Sequence, residues 1–353
     1  MSETKKIHYY GIDLLRAFCC IAIIIMHIRA NSAYNLSGYV YDTIIASWTQ
    51  FVYLFIMISG FGMCVGYYSK VKDGKLDVNS FYGKRYAKII PFFGFLLLIS
   101  LVMERNGSTA VESFMEITLA FGLLPNNHLE TIGVSWTLGV IFLFYFLFPF
   151  IVFLTYDRRR AVMSFLISIA VNYACVYYFF TDKFVVDGFA FRHCFIYCLP
   201  FFLGGVLIYL FREPILAFVT KYKIVMFLIM AAMVAAYYAL PDEIGDVSIF
   251  TVKNLLISMT ILSFAIGCNG KICNNKVVSY LSSISMEMYL CQMVLFRVAE
   301  KAHLLYRFGK GWLSFCVCCV IVIALIIVFV ECFRFGCKLL SALKKKYLSG
   351  VKE

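Results

Sequence analysis

An all-α, polytopic transmembrane helical bundle of about ten spans, forming one membrane domain over residues 1–353, is the fold class this sequence predicts. Three observations carry it. Hydrophobic residues fill 62% of the 353 positions and charged residues only 15%. The polar positions gather between apolar runs of about twenty residues, the length that crosses a bilayer as a helix. Those runs are continuous rather than alternating, which argues against the period-two pattern of an outer-membrane barrel, and no repeat, low-complexity linker or soluble domain interrupts them.

The first run covers residues 10–29 and is expected to be retained rather than cleaved, because it carries Arg16 and His27 and no small-residue cleavage pattern follows. Further spans are expected at about 48–68, 86–103, 136–156, 161–180, 191–211, 223–240, 249–268, 277–297 and 312–332. Between Glu104 and Ser135 lies an apolar segment at about 114–124 that is too short to cross. Counted as a span, it would put the arginines at 158–160 outside, so it is expected to be a re-entrant or interfacial segment on the outer side. Residues 333–353 form a basic tail.

With the amino terminus in the cytoplasm, this order gathers most Lys and Arg residues on the cytoplasmic side, including Lys5, Lys6, Lys70, Lys72, Lys75, Lys84, Arg85, Lys88, Lys271 and Lys276. The outer loops are poorer in cations, apart from Lys301, Arg307 and Lys310, and one is acidic at Asp242, Glu243 and Asp246. The positive-inside rule therefore predicts an even number of spans with both termini cytoplasmic. The net charge of +12 follows mostly from this topology. No soluble basic surface of the kind that binds nucleic acid is present, and anionic lipid headgroups account for Lys344, Lys345 and Lys346 in the tail.

Ionisable side chains inside the spans are the candidates for function, because each costs a few kcal/mol or more in hydrocarbon unless it faces the bundle interior or a wet path. The first span holds three: Asp13, Arg16 and His27. Arg16 and His27 stand eleven residues apart, about 20° past three helical turns and about 16 Å along the axis. They share a face at opposite depths, suited to a long anionic ligand held at one end with chemistry at the other. A guanidinium grips phosphate in a fork and needs a permanent anionic partner, either a ligand or Asp13 one turn away. An imidazole accepts protons near neutral pH; the bland alternative is a core histidine satisfied by a backbone carbonyl.

Lys84, Arg85 and Lys88 form a basic cluster where the third span begins, read either as phosphate ligands or as topology signals. Glu287 falls in the ninth span and is expected to pair with Arg16, His27 or a ligand group. Ser59, Gly60, Gly62 and Gly66 permit close approach of a helix or a ligand. Trp136 is read either as an interfacial anchor or as a sugar-stacking or acyl-channel residue, and Tyr145, nine residues deeper, is equally open. His128, Glu130, Arg192 and His193 are weaker candidates on the outer side. The 14 cysteines lie almost entirely in the spans and read as small hydrophobes; Cys194 and Cys198 share a face, but packing is the expected role and no metal site is expected.

Five segments carry a family resemblance. Asp13, Leu15 and Arg16 precede His27; then follow FIMISGF at 55–61, RYAKIIP at 85–91, WTLGVIFLFYFLFP at 136–149 and SMEMYLCQ at 285–292. In this order they resemble the integral-membrane acyltransferase family 3, bacterial O-acyltransferases that modify surface glycans, across about residues 9–330. The resemblance implies transfer of an acetyl or other short acyl group from cytoplasmic acyl-CoA to an extracytoplasmic or lipid-linked glycan hydroxyl, in a bacterial cytoplasmic membrane. His27 becomes general base or transient acyl carrier, with Asp13 and Glu287 as further catalytic candidates. Arg16, Lys84, Arg85 and Lys88 become donor ligands, and Ser59, Trp136, Tyr145 and Tyr289 substrate contacts.

Three positions depart from the family pattern: Lys88 replaces a second arginine, Ile141 a glutamate, and Gln292 a histidine. No extracytoplasmic domain is expected after the last span, which would leave this domain to acylate its acceptor directly or a separate extracytoplasmic protein to complete transfer. The competing class is a transporter or flippase of glycan precursors. Such carriers often show two matching halves with broken helices, and no such correspondence is visible here. A catalytically silent scaffold for glycan assembly is a third reading.

Overall fold

The computed structural model describes residues 8–124, 129, 131–186, 189–245 and 247–350, with side chains to Leu343. Lys5, Lys6, His128, Glu130, Asp246 and the side chains of Lys344, Lys345 and Lys346 lie outside the described residues. Helices dominate, and each of the ten predicted spans falls on one. In chain order these are α1 (Tyr10–Ala30), α2 (Phe51–Lys72), α3 (Val78–Glu104), α5 (Trp136–Leu154), α6 (Arg158–Ala174), α7 (Phe195–Leu210), α9 (Lys223–Ala239), α10 (Phe250–Ile266), α11 (Lys276–Lys301) and α12 (Trp312–Gly350). Two shorter helices, α4 (Gly107–Ile117) and α8 (Arg212–Lys221), and one antiparallel two-stranded hairpin, Glu243–Ile244 with Val247–Ser248, complete the described secondary structure apart from short π and 3-10 turns.

Six of these elements are long and apolar enough to cross a membrane on length and composition alone: α1, Val40–Lys72, α3, α5, Arg158–Phe179 and Trp312–Leu343. The α7 and α8 helices make a pair bent by 72°. The α9 and α10 helices are apolar but only 17 residues each. The 26-residue α11 falls outside the group, with Ser282, Ser283, Ser285, Glu287 and Gln292 interrupting its apolar run. The segment at 114–124 does not span: α4 has 11 residues, about 16 Å of rise, and ends in a 3-10 turn at Phe121–Leu123.

Several helix starts follow from local capping. Asp77, Asn106, Asp157 and Asn275 each accept a hydrogen bond from a backbone N–H three residues on, at the heads of α3, α4, α6 and α11. The Asp77 cap explains why α3 begins eight residues before the expected span and draws Lys84, Arg85 and Lys88 into the helix.

The core gathers α1, α2, α5, α7 and α11, while α3 and α6 are peripheral. The tightest crossing is α2 on α7. A Cβ built at Gly60 would lie 2.3 Å from the Phe202 carbonyl oxygen, and one at Gly205 would lie 2.0 Å from that of Met57. Only glycine permits that approach, so Gly60 serves helix packing. The α1 helix packs chiefly on α11 and also on α10, where Gly11 meets the Ala265 carbonyl. Below, the end of the bundle where α1 begins is called proximal, and the end where it stops distal.

Candidate active site

Asp13 fastens the proximal end of α1. Its Oδ1 accepts a hydrogen bond from the Ser282 hydroxyl on α11 at 2.8 Å, and its Oδ2 accepts one from His8 Nε2 at 2.7 Å. Of the two partners open to Arg16, Asp13 makes no salt bridge with it: its carboxylate oxygens bond neighbours that helical spacing does not reveal. Arg16 is left enclosed by the bundle, and among the described residues its guanidinium makes no hydrogen bond or ion pair. It lies over Gly62, whose absent side chain leaves 3.4 Å between the Cβ position and Arg16 Nη2.

Arg16 opens onto a cavity of about 170 Å³ between α1, α2, α3, α5 and α11. Lys88 lines the same cavity, as do Ser282, Ser283 and Ser285 from α11. Among the described residues Lys88 likewise has no hydrogen bond or ion pair. Along α2 the lining runs from Ser59 through Phe55 to Val52, so the cavity extends distally from the level of Arg16. Ser59 and Tyr145 share a hydrogen bond of 2.9 Å in its wall. The distal part is closed by Thr137, Ile141 and Tyr289, with the Tyr289 ring 6.4 Å from Phe55 and its hydroxyl beside Thr137.

The three basic residues of α3 separate in space. Only Lys88 enters the cavity. Arg85 stands behind the wall among the rings of Tyr67, Phe81 and Tyr145, at 4.7, 5.4 and 5.3 Å, and its Nε is buried with no hydrogen-bond partner among the described residues. Lys84 is exposed outside.

Glu287 also departs from expectation. Its carboxylate pairs with Arg334 Nη2 of α12 at 3.2 Å rather than with Arg16 or His27, and the same nitrogen donates to the Ser283 carbonyl at 3.1 Å. Glu287 does not line the cavity. Arg334 escaped notice because the last span was expected to end at 332, whereas α12 runs on as one helix to Gly350. The spacing of Glu331 and Arg334, one turn apart, was the available signal for that continuation. Ser282, one of three serines in the run SSIS, was likewise legible as a polar interruption in α11.

His27 occupies the distal part of α1, half-buried. Its Nδ1 lies 3.1 Å from the Ile23 carbonyl oxygen. A carbonyl can only accept, so Nδ1 carries the proton in the neutral ring and Nε2 keeps the lone pair. The ring faces Gln292 of α11. A continuous passage from Arg16 to His27 is not found: neither His27 nor Gln292 lines the cavity. The lining stops at Tyr289 and Leu290, and Gln292 stands one turn beyond Tyr289.

Trp136 does not reach the cavity either, although its neighbour Thr137 does. Its indole stacks face to face on His193, with ring centroids 3.9 Å apart and planes 8° off parallel. Arg192 lies over the Phe250 ring at 4.7 Å.

A larger cavity of about 700 Å³ opens between α1, α9 and α10. No Lys, Arg, His, Asp or Glu lines it, so it has no evident means of proton transfer or phosphate binding. All 14 cysteines are free, and among the described residues no three His, Cys, Asp or Glu side chains converge as a metal site. No curated protein and no solved structure matches the chain. The family model described as an acyltransferase domain matches residues 9–331, spanning the cavity helices, His27 and the Arg16 stripe, and so the chain belongs to acyltransferase family 3 as a membrane acyltransferase.

Proposed function

We propose that this acyltransferase takes an acetyl or other short acyl group from cytoplasmic acyl-CoA and delivers it to a hydroxyl of an extracytoplasmic or lipid-linked glycan. One observation carries the donor reading: Arg16 and Lys88 line one cavity, and neither has a hydrogen-bonded counter-charge among the described residues. A partly buried guanidinium with an exposed ammonium at the same cavity favours a polyanion. The guanidinium offers a planar fork to phosphate oxygens and the ammonium a point charge. In this reading the proximal end faces the cytoplasm of a bacterial cell, as the positive-inside distribution expects.

The acyl end of the donor then points distally. At the His27 ring, Nε2 takes the proton of the acceptor hydroxyl while its oxygen attacks the thioester carbonyl. The tetrahedral adduct collapses, the carbon–sulfur bond breaks, and the thiolate leaves with the proton returned from the imidazolium. Since the cavity stops at Tyr289, that side chain must swing aside for the thioester to reach the ring. Either this domain acylates the glycan directly or it passes the acyl group to a separate extracytoplasmic protein.

The test is transfer of labelled acetyl from acetyl-CoA by purified protein in nanodiscs, read on surface glycan and as release of free CoA. Wild type is expected to turn over and His27→Ala to be inactive. Transfer at the wild-type rate by His27→Ala refutes the role given to His27.

A further inference from the structure

The packing around Gln292 leaves its buried amide largely unsatisfied. Gln292 is only 1% exposed, in the middle of α11 and facing the His27 ring. Yet neither its Nε2 nor its Oε1 reaches hydrogen-bond geometry with any described group. A primary amide has two N–H donors and two acceptor lone pairs, and His27 has only Nε2 left to offer after Nδ1 is engaged by Ile23. Even a full contact with the imidazole would leave most of that capacity unused. Native interiors seldom bury polar atoms this way without a reason. Elsewhere on α11, Ser285 bonds the Ser282 carbonyl and Ser282 bonds Asp13, so the neighbouring polar side chains are satisfied.

From this we infer that Gln292 is a catalytic residue whose side-chain N–H receives the acyl oxygen of the donor as the carbonyl becomes tetrahedral beside His27. This rests on the acyl-CoA reading above. The proton moves from acceptor hydroxyl to His27 Nε2, the new carbon–oxygen bond forms, and the carbonyl electron pair goes onto an oxygen that accepts a hydrogen bond from the amide. When the carbon–sulfur bond breaks, that pair re-forms the carbonyl, and the imidazolium proton goes to the thiolate. A donor aimed at developing charge in a water-poor site supplies a large share of the rate in acyl transfer. Gln292 suits this position because it donates without adding a charge that would compete with the imidazole for protons.

The experiment compares wild type, Gln292→Leu, Gln292→Met and His27→Ala in nanodiscs with acetyl-CoA as donor, over pH 5.5–8.5. In Gln292→Leu, kcat is expected to fall about 100- to 1000-fold. KM for acetyl-CoA should stay within about twofold, thermal stability should be unchanged or higher, and the loss of kcat should persist on the plateau of the pH profile. Gln292→Met, which fits the same space with a flexible chain, should do the same and decides the matter if the leucine variant misfolds. A kcat within about threefold of wild type in either folded variant overturns the proposal. So does a shifted pH profile that recovers the wild-type plateau, which would mean that Gln292 only holds the ring. If wild type itself transfers nothing from acetyl-CoA, the donor reading fails first and this inference falls with it.

Discussion

Replacing Arg16 by methionine should move fold stability and donor binding in opposite directions. The guanidinium is enclosed by five helices, Asp13 is engaged by Ser282 and His8, and Gly62 supplies only space. Desolvation of a buried charge costs several kcal/mol, here relieved in part by the open cavity and by the field of Asp13. Methionine keeps most of the packing and removes the charge, so the ligand-free protein should gain about 1–3 kcal/mol. The donor loses its fork. Hydrogen bonds to charged groups contribute about 1.5–3 kcal/mol each, so losing two weakens acyl-CoA binding by at least about 3 kcal/mol, or 100-fold or more. Lysine should fall between, keeping the charge without the planar geometry. Unfolding of each variant in nanodiscs, with and without acyl-CoA, reads both effects. A methionine variant that is less stable than wild type without ligand, or that binds acyl-CoA as tightly, refutes the assignment of Arg16 as a charge held for a ligand.

Two further predictions test the packing of the α2–α7 crossing and of α4. Gly60→Ala should unfold or strongly destabilise the bundle, by about 3 kcal/mol or more, because its Cβ would meet backbone at 2.3 Å; Gly62→Ala, two residues away with only Arg16 Nη2 at 3.4 Å, should fold normally and alter donor KM, and thermal unfolding beside steady-state kinetics separates the two. Glu116 on α4 is fully buried, and neither carboxylate oxygen has a hydrogen-bond partner among the described residues. Burial pushes its pKa from 4.5 up to about 7, so the folded state holds a proton that the unfolded state releases. Its contribution favours folding at pH 5 and is lost as pH rises through 7, at a cost of about 3 kcal/mol. Glu116→Gln should therefore match wild-type stability near pH 5 and exceed it near pH 8; a gap that does not widen with pH refutes this.

Span positions were legible because continuous apolar runs leave hydrocarbon few alternatives, and the Arg16–His27 stripe because helical geometry fixes the relation of residues on one helix. Relations between helices were not legible. Nothing in local spacing says that Ser282 and His8, 269 and 5 residues away, would bond Asp13. Hydropathy also truncates helices at their first charges. It started the third span at 86 and ended the last at 332, whereas the Asp77 cap starts α3 at Val78 and α12 carries Arg334 back to Glu287. Ile141 and Gln292 were visible as departures from a family pattern, but only the fold separates them: Ile141 lines the cavity, and Gln292 stands beyond it against His27.

The division of labour along α1 follows from how its two ends are held. Proximally, Asp13 anchors the helix to α11 through Ser282 and makes no salt bridge with Arg16, although its field still reaches the guanidinium. Distally, the Ile23 carbonyl takes the imidazole N–H and fixes which nitrogen stays basic. Between them α11 runs beside α1, placing Ser282 and Ser285 in the cavity, then Tyr289 across its end, then Gln292 against the imidazole. The same pair of helices thus presents a guanidinium without a salt bridge, a barrier and an imidazole in axial order. A barrier at Tyr289 matters physically. On the proposed acyl-CoA reading, a permanently open passage would connect a hydrolysable thioester with water at the far end of the bundle, whereas a side chain displaced only by the incoming acyl arm would open the path when donor is present.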